Sequence, residues 1–379
     1  MTKKKIAIIT LPLRNYNYGG ILQNYALQKY LMNRFGAEVE TIQFRFVPKL
    51  KPIQKIKAAL HRIIYRSYYR FKENVNMHLE GFILANIQES VELSSKTRVE
   101  AYLKDQRFDV LVTGSDQVWR LDYAGNYYNL LFLDFPKLKN SKKLSYAASF
   151  GFDNWKFAER TQEIKKYLQD FDGVSVREDS GVKIAKETFD VQASHLPDPT
   201  LLLKKEDYLQ LLSDNQTIKK SETKTLYAYI LDLDDSKIKV LNQISQHLHA
   251  DLKIIELTEN QLYKINNHNF TQYDQVLAEP MEDWLASFYH ADYIITDSFH
   301  GTVFSIIFQK PFIALGNEKR GMSRFSSLLV SLGLEEHLSL DFDADKMSKI
   351  LSQKIHYNEV EDKISSLRTK TYQFFQKHL

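Results

Sequence analysis

The residue types best suited to chemistry gather in Asp297-Ser298-Phe299-His300-Gly301. This stretch follows the apolar run 292–296 and precedes a helical pattern from Thr302 to Phe308. His300 is therefore expected at a strand-to-helix corner, with Asp297 and Ser298 supplying turn and capping chemistry. A helix start there aims N–H groups and partial positive charge at an anion, and Ser298 and Gly301 can line the approach. Gly301 would let a ligand come close to the backbone. A histidine in that field can act as a general acid or base. The competing reading is a helix cap with an incidental histidine.

Four further segments carry candidate groups. Lys319, Arg320 and Arg324, in the loop after the run Phe312–Leu315, can clamp phosphate or carboxylate or form a solvated basic loop. Arg177, in Ser175-Val176-Arg177-Glu178, can reach a cleft or pair with Glu178 at the surface. Asn17, Gly19, Gly20 and Gln23 lie in a glycine-bearing loop that feeds a helix. That loop lacks the full dinucleotide fingerprint, so nicotinamide cofactors are rejected. Sugar binding and a tight turn both remain open for it. In Gly114-Ser115-Asp116-Gln117-Val118-Trp119, Asp116 can hold a sugar hydroxyl or cap a helix, and Trp119 can stack on a sugar ring. His195, His247 and His249 read as structural or surface groups. Asp292, Asp297 and His300 lack a metal-ligand spacing, so no required metal is expected.

The elements that must position these groups are short apolar runs alternating with helical patterns. Expected strands are Ile6–Leu11, Val39–Phe44, Val110–Thr113, Leu144–Ala148, Gly173–Val176, Thr225–Ile230, Leu252–Glu256, Tyr293–Thr296 and Phe312–Leu315. Continuous apolar runs of this kind belong to parallel sheets covered on both faces. An α/β architecture follows, and 379 residues suit two units with a ligand cleft between them. The expected division is 1–200, 201–355 and a C-terminal helix over 356–379, with the break near Pro197-Asp198-Pro199.

Composition is that of a folded chain, 44% hydrophobic and 26% charged, with net charge +4 and no cysteine. Disulfides, thiolate metal sites and cysteine nucleophiles are excluded. The apolar run after Met1-Thr2-Lys3-Lys4-Lys5 is too short for a signal peptide, and a cytoplasmic location is expected. A basic helical insertion is expected over about 45–105. Between Arg45 and Lys72 stand nine Lys or Arg and no acid. Ile53, Ile56, Leu60, Ile63, Ile64, Tyr68 and Tyr69 are interleaved with them. This stretch reads as a solvated helix or as an amphipathic helix resting on an anionic membrane. No nucleic-acid module accompanies the charge, so no nucleic-acid partner is expected.

Taken in order, 17–27 (NYGGILQNYAL), 114–119 (GSDQVW), 175–178 (SVRE), 196–203 (LPDPTLLL) and 291–315 resemble the polysaccharide pyruvyl transferase family. Other members open with a G-x-GN-x-GD type loop where this chain has NYGG, without the second acidic position. The resemblance implies a glycosyltransferase-B-like fold of two Rossmann-like domains around a cleft. It implies transfer of pyruvate from phosphoenolpyruvate, with no cofactor, to a sugar of a surface polysaccharide or its lipid-linked precursor. His300 matches the family's active-site histidine and Arg177 its donor-binding arginine. Lys319, Arg320, Arg324, Ser298 and Gly301 would complete the donor side. Asn17, Gly19, Gly20, Gln23, Asp116 and Trp119 would face the acceptor. Two rival readings are a glycosyltransferase using a nucleotide sugar, with Glu282 or Asp283 reading its ribose, and a non-catalytic glycan- or anion-binding module.

Overall fold

The fold is given by a computed structural model that describes residues 3–14, 17–45, 52–64, 79–135, 141–212, 219–256, 280–316 and 321–379. The first apolar runs form β1 (Lys5–Ile9), β2 (Glu38–Thr41), β3 (Val110–Thr113) and β4 (Lys142–Ser145). They pair in the order β2-β1-β3-β4, all parallel. Parallel bridges Leu144–Gly173 and Ala148–Val176 carry this sheet on to the short pair β5 (Ser175–Val176) and β6 (Ser194–His195). The second sheet has the order β11-β10-β9-β7-β8 and is also parallel. Its strands are β7 (Thr225–Ile230), β8 (Asp251–Glu256), β9 (Tyr293–Thr296), β10 (Phe312–Leu315) and β11 (Leu338–Ser339). These are two Rossmann-like units. Their strand order reverses beside β1 in the first and beside β7 in the second, and ligands in such sheets sit at the carboxyl edge of that reversal.

The first helix shows how the local sequence sets the frame. Asn17 caps Tyr18–Phe35 by accepting from the Gly20 N–H. Gly36 ends it in the left-handed conformation and returns its N–H to the Met32 carbonyl. One apolar cluster crosses between the halves. Tyr18, Leu22 and Tyr25 from this helix join Tyr227, Trp284 and Phe304 from the second unit. Tyr18 stacks on Trp284 at 5.3 Å between centroids. Truncating a buried aromatic of this kind to Ala costs about 3–5 kcal/mol.

The last helix, Tyr357–His378, spans both units. Val360 and Ile364 pack in the cluster just described, while Phe374 and Phe375 pack on the first sheet's core. Lys363 donates to the Leu332 carbonyl, and Arg368 donates to the carbonyls of Leu201 and Leu203. Among the described residues, no helix is long and apolar enough to cross a membrane.

Candidate active site

The two carboxyl edges meet at His300. The helix Phe299–Ile307 begins three residues earlier than expected, because Ser298 caps it by accepting from the Gly301 N–H at 3.3 Å. His300 is thus in the first helical turn, 6% exposed. Asp297 holds the corner by accepting the N–H groups of Leu231 and Asp232 from the loop after β7. Gly301 is small for a reason other than the expected one. A methyl group there would lie 2.3 Å from Thr296 Oγ1, so the missing side chain makes room for β9 and not for a ligand.

Across the interface, Gly19 lies under the imidazole. A Cβ at Gly19 would come within 2.0 Å of His300 Nδ1. The other ring nitrogen, Nε2, is buried without a hydrogen-bond partner, 3.5 Å from Asp198 Oδ2. Asp198 is itself fully buried between Arg177 Nη1, at 2.7 Å, and the Thr200 N–H and hydroxyl. Burial opposes its ionisation. The charges of His300 and Arg177 and the Thr200 hydrogen bond outweigh that, and the carboxyl is held well below its ordinary range.

Arg177 also reaches Asp116 Oδ1 at 3.4 Å, and Asn17 Nδ2 donates to Asp116 Oδ2 at 3.1 Å. Asp116 has φ of 74°, the left-handed region, which Asp tolerates better than most residues. Burial is outweighed there too, by Arg177 and His300, and Asp116 is pulled down. Phe299 separates two guanidinium groups. Arg177 lies 4.3 Å and Arg324 5.7 Å from its ring centre. Burial and the charge of Arg177 bring Arg324 down to about 10. Glu178 is buried beside them and accepts from the Ser149 hydroxyl and the Phe150 N–H. Burial pushes its carboxyl up against the pull of Arg177.

The structure therefore gathers His300, Arg177, Arg324, Asp116, Asn17 and Gly19 around one buried point. Gly20 and Gln23 lie a turn away, with Gln23 Nε2 donating to the Gly20 carbonyl at 3.0 Å. Lys319 and Arg320 fall outside the described residues. Trp119 is a correction. Its ring is fully buried, stacked on Phe132 at 5.3 Å, and its N–H donates to the Leu131 carbonyl, so no face is open to a sugar. Arg177, matched by resemblance to the donor-binding arginine, has both Nη groups on carboxylates, Asp198 and Asp116, and not on Glu178. Asp198 lies at the expected boundary and in the 196–203 stretch that carries the resemblance, but no site role is read for it from the sequence. An acid between two prolines in an otherwise apolar run was the available signal for it. Among the described residues, no group of three His, Cys, Asp or Glu is placed to hold a metal.

Parallel sheets of this order facing one another define the glycosyltransferase-B class, and solved structures agree. UDP-GlcNAc 2-epimerase from Neisseria meningitidis, bound to UDP-GlcNAc, aligns with TM-score 0.56 at 10% identity over 99% of this chain and 100% of its own. A putative UDP-N-acetylglucosamine 2-epimerase from Listeria monocytogenes gives 0.56 at 10% identity, over 100% and 97%. The glycotransferase of kitacinnamycin gives 0.51 at 12% identity, over 100% of both chains. At these identities the likeness is one of fold. The model of the polysaccharide pyruvyl transferase family matches residues 17–319, and the chain belongs to that family. It is a transferase of polysaccharide biosynthesis. No curated protein sequence matches the chain.

Proposed function

We propose that the protein moves the pyruvyl group of phosphoenolpyruvate onto two hydroxyls of one sugar, closing a cyclic ketal. The acceptor is a sugar of a surface polysaccharide or of its precursor. The observation that carries this reading is the meeting of His300, at a helix N-terminus, with the buried Asp116, Arg177 and Asp198 of the other domain.

The donor binds beside His300, where the two domains touch and must open to admit it, since Gly19 and the imidazole leave no room between them for even a methyl group. Its carboxylate and phosphate are matched by the N-terminal turn of Phe299–Ile307 and by Arg177 and Arg324. In the closed cluster those guanidiniums face Asp116, Asp198 and Glu178, so charge is already balanced. The donor must therefore draw Arg177 partly away from its carboxylates, or rely on the cations of Lys319 and Arg320, which lie outside the described residues. His300 delivers a proton to the methylene carbon. One sugar hydroxyl adds to the cationic carbon that results, and the C–O bond to phosphate then breaks. The second hydroxyl adds and closes the ring. Of the two hydroxyl protons, one ends on the new methyl group, by way of His300, and the other on inorganic phosphate. The atoms balance without an oxidant, a reductant or a cofactor.

The test is the purified protein with phosphoenolpyruvate and a panel of sugars and glycans, read by phosphate release and by a mass gain on the acceptor. Phosphate release that depends on acceptor supports the reading. Release of a nucleotide from UDP- or CDP-sugars, with phosphoenolpyruvate untouched, overturns it in favour of glycosyl transfer.

A further inference from the structure

The helix Pro52–Ile64 presents its apolar side outward. Ile56, Leu60 and Ile63 are 61%, 53% and 71% exposed, and they recur at the spacing of one helix face. At 100° per residue, Ile56, Leu60 and Ile63 fall within an arc of about 60°. Lys57 and His61 lie on one side of that arc and Arg62 on the other, all exposed. Stable protein surfaces scatter exposed aliphatics singly and do not align them. The region from Arg45 to Lys72 has nine basic residues and no acid, so a partner that carries negative charge together with an apolar phase complements it. A bilayer containing anionic lipid supplies both at the same depth, with aliphatic side chains in the acyl boundary and cations among the headgroups.

We infer that Pro52–Ile64 is an in-plane membrane contact for anionic bilayers. Its position gives the contact a use. Arg45 lines a cavity of about 790 Å³ at the carboxyl ends of β1 and β2, whose walls mix Phe44 and Leu84 with Glu80, Glu89 and Glu92. Six residues separate Arg45 from Pro52, and the seven steps between them reach about 25 Å at most. A helix lying on the bilayer keeps that cavity within this reach of the lipid surface, where a lipid-linked acceptor presents its sugar. The membrane contact and the pyruvyl donor stand on separate observations, and either can fail alone.

The experiment uses the full chain and vesicles of phosphatidylcholine with or without phosphatidylglycerol, read by co-sedimentation. Binding is expected to the anionic vesicles, to fall with added salt, and to be at least about tenfold weaker on neutral vesicles. Ile56→Ser/Leu60→Ser/Ile63→Ser should abolish it while leaving the thermal midpoint and phosphate release with a soluble acceptor unchanged. Lys57→Gln/Arg62→Gln should weaken it on the order of tenfold. Absence of vesicle binding, equal binding to both vesicle types, or retained binding by the triple variant overturns the inference. So does a wild-type dimer that the triple variant turns into a monomer, because the face then meets a second copy of the chain.

Discussion

The cluster around Arg177 and the helix Pro52–Ile64 both concentrate charge, and they solve its cost in opposite ways. In the cluster, Arg177 is buried and both its Nη groups meet carboxylates of the same domain. On the helix, Lys57 and Arg62 are exposed and no acid occurs within the Arg45–Lys72 stretch. Removing one partner from a buried pair strands the other charge, whereas removing an exposed charge costs almost nothing in stability. Stability should therefore report on the first region and binding on the second.

The comparison breaks first at His300. His300→Ala should lower turnover by about 10²–10⁴, the range for loss of a positioned acid or base, and should also lower the unfolding midpoint, because buried Asp198 loses a charge that favours its ionised form. Steady-state phosphate release checks this, and an unchanged rate would remove His300 from the chemistry. Asp198→Asn should destabilise the fold by about 3–5 kcal/mol, measured by denaturant unfolding, because Arg177 loses its shortest carboxylate contact. The pH dependence has a definite sign. The folded-state carboxyl of Asp198 titrates below its unfolded value of about 3.9, so its contribution is complete above that value and fades as pH falls further. Acid unfolding of the wild type should thus show a steeper loss below about pH 4 than Asp198→Asn does.

Gly19→Ala should be felt in activity more than in stability. The added methyl must displace the imidazole, at a cost of about 1–3 kcal/mol, and turnover should fall by tenfold or more. If Gly19→Ala keeps wild-type turnover, the ring's place against the first helix is irrelevant to function. The smallest effect is expected from Leu60→Ser, within about 0.5 kcal/mol of wild-type stability. A larger loss would show that this helix packs on protein.

The deeper strands were readable because burial on both faces writes an unbroken apolar run. Val110–Thr113, Thr225–Ile230, Tyr293–Thr296 and Phe312–Leu315 have the bounds expected of them. The edge pieces β6 and β11 were not read, since two residues carry no period. The helix was expected from Thr302, whereas the Ser298 cap, already in hand, starts it at Phe299. Gathering His300 with Arg177 and Asp116 was legible only through family resemblance, since chain spacing says nothing about which sheet edges face each other. Asp198 and Glu178 escaped because their partners are set by tertiary burial. Trp119 was misassigned for the same reason: an aromatic after a strand can stack on a sugar or on Phe132, and only packing decides.

The helix Tyr357–His378 has one more implication. Tyr357 and Lys363 anchor its start to the second unit, by bonds to the carbonyls of Lys310 and Leu332. Its far half is fixed to the first unit through Arg368, Thr371 and the Phe375 ring against Tyr146. A rod riveted to both halves permits them to swivel but not to separate. Admission of a substrate beside His300 is then a jaw movement about a fixed spine, and the gape is limited by how far that spine can flex.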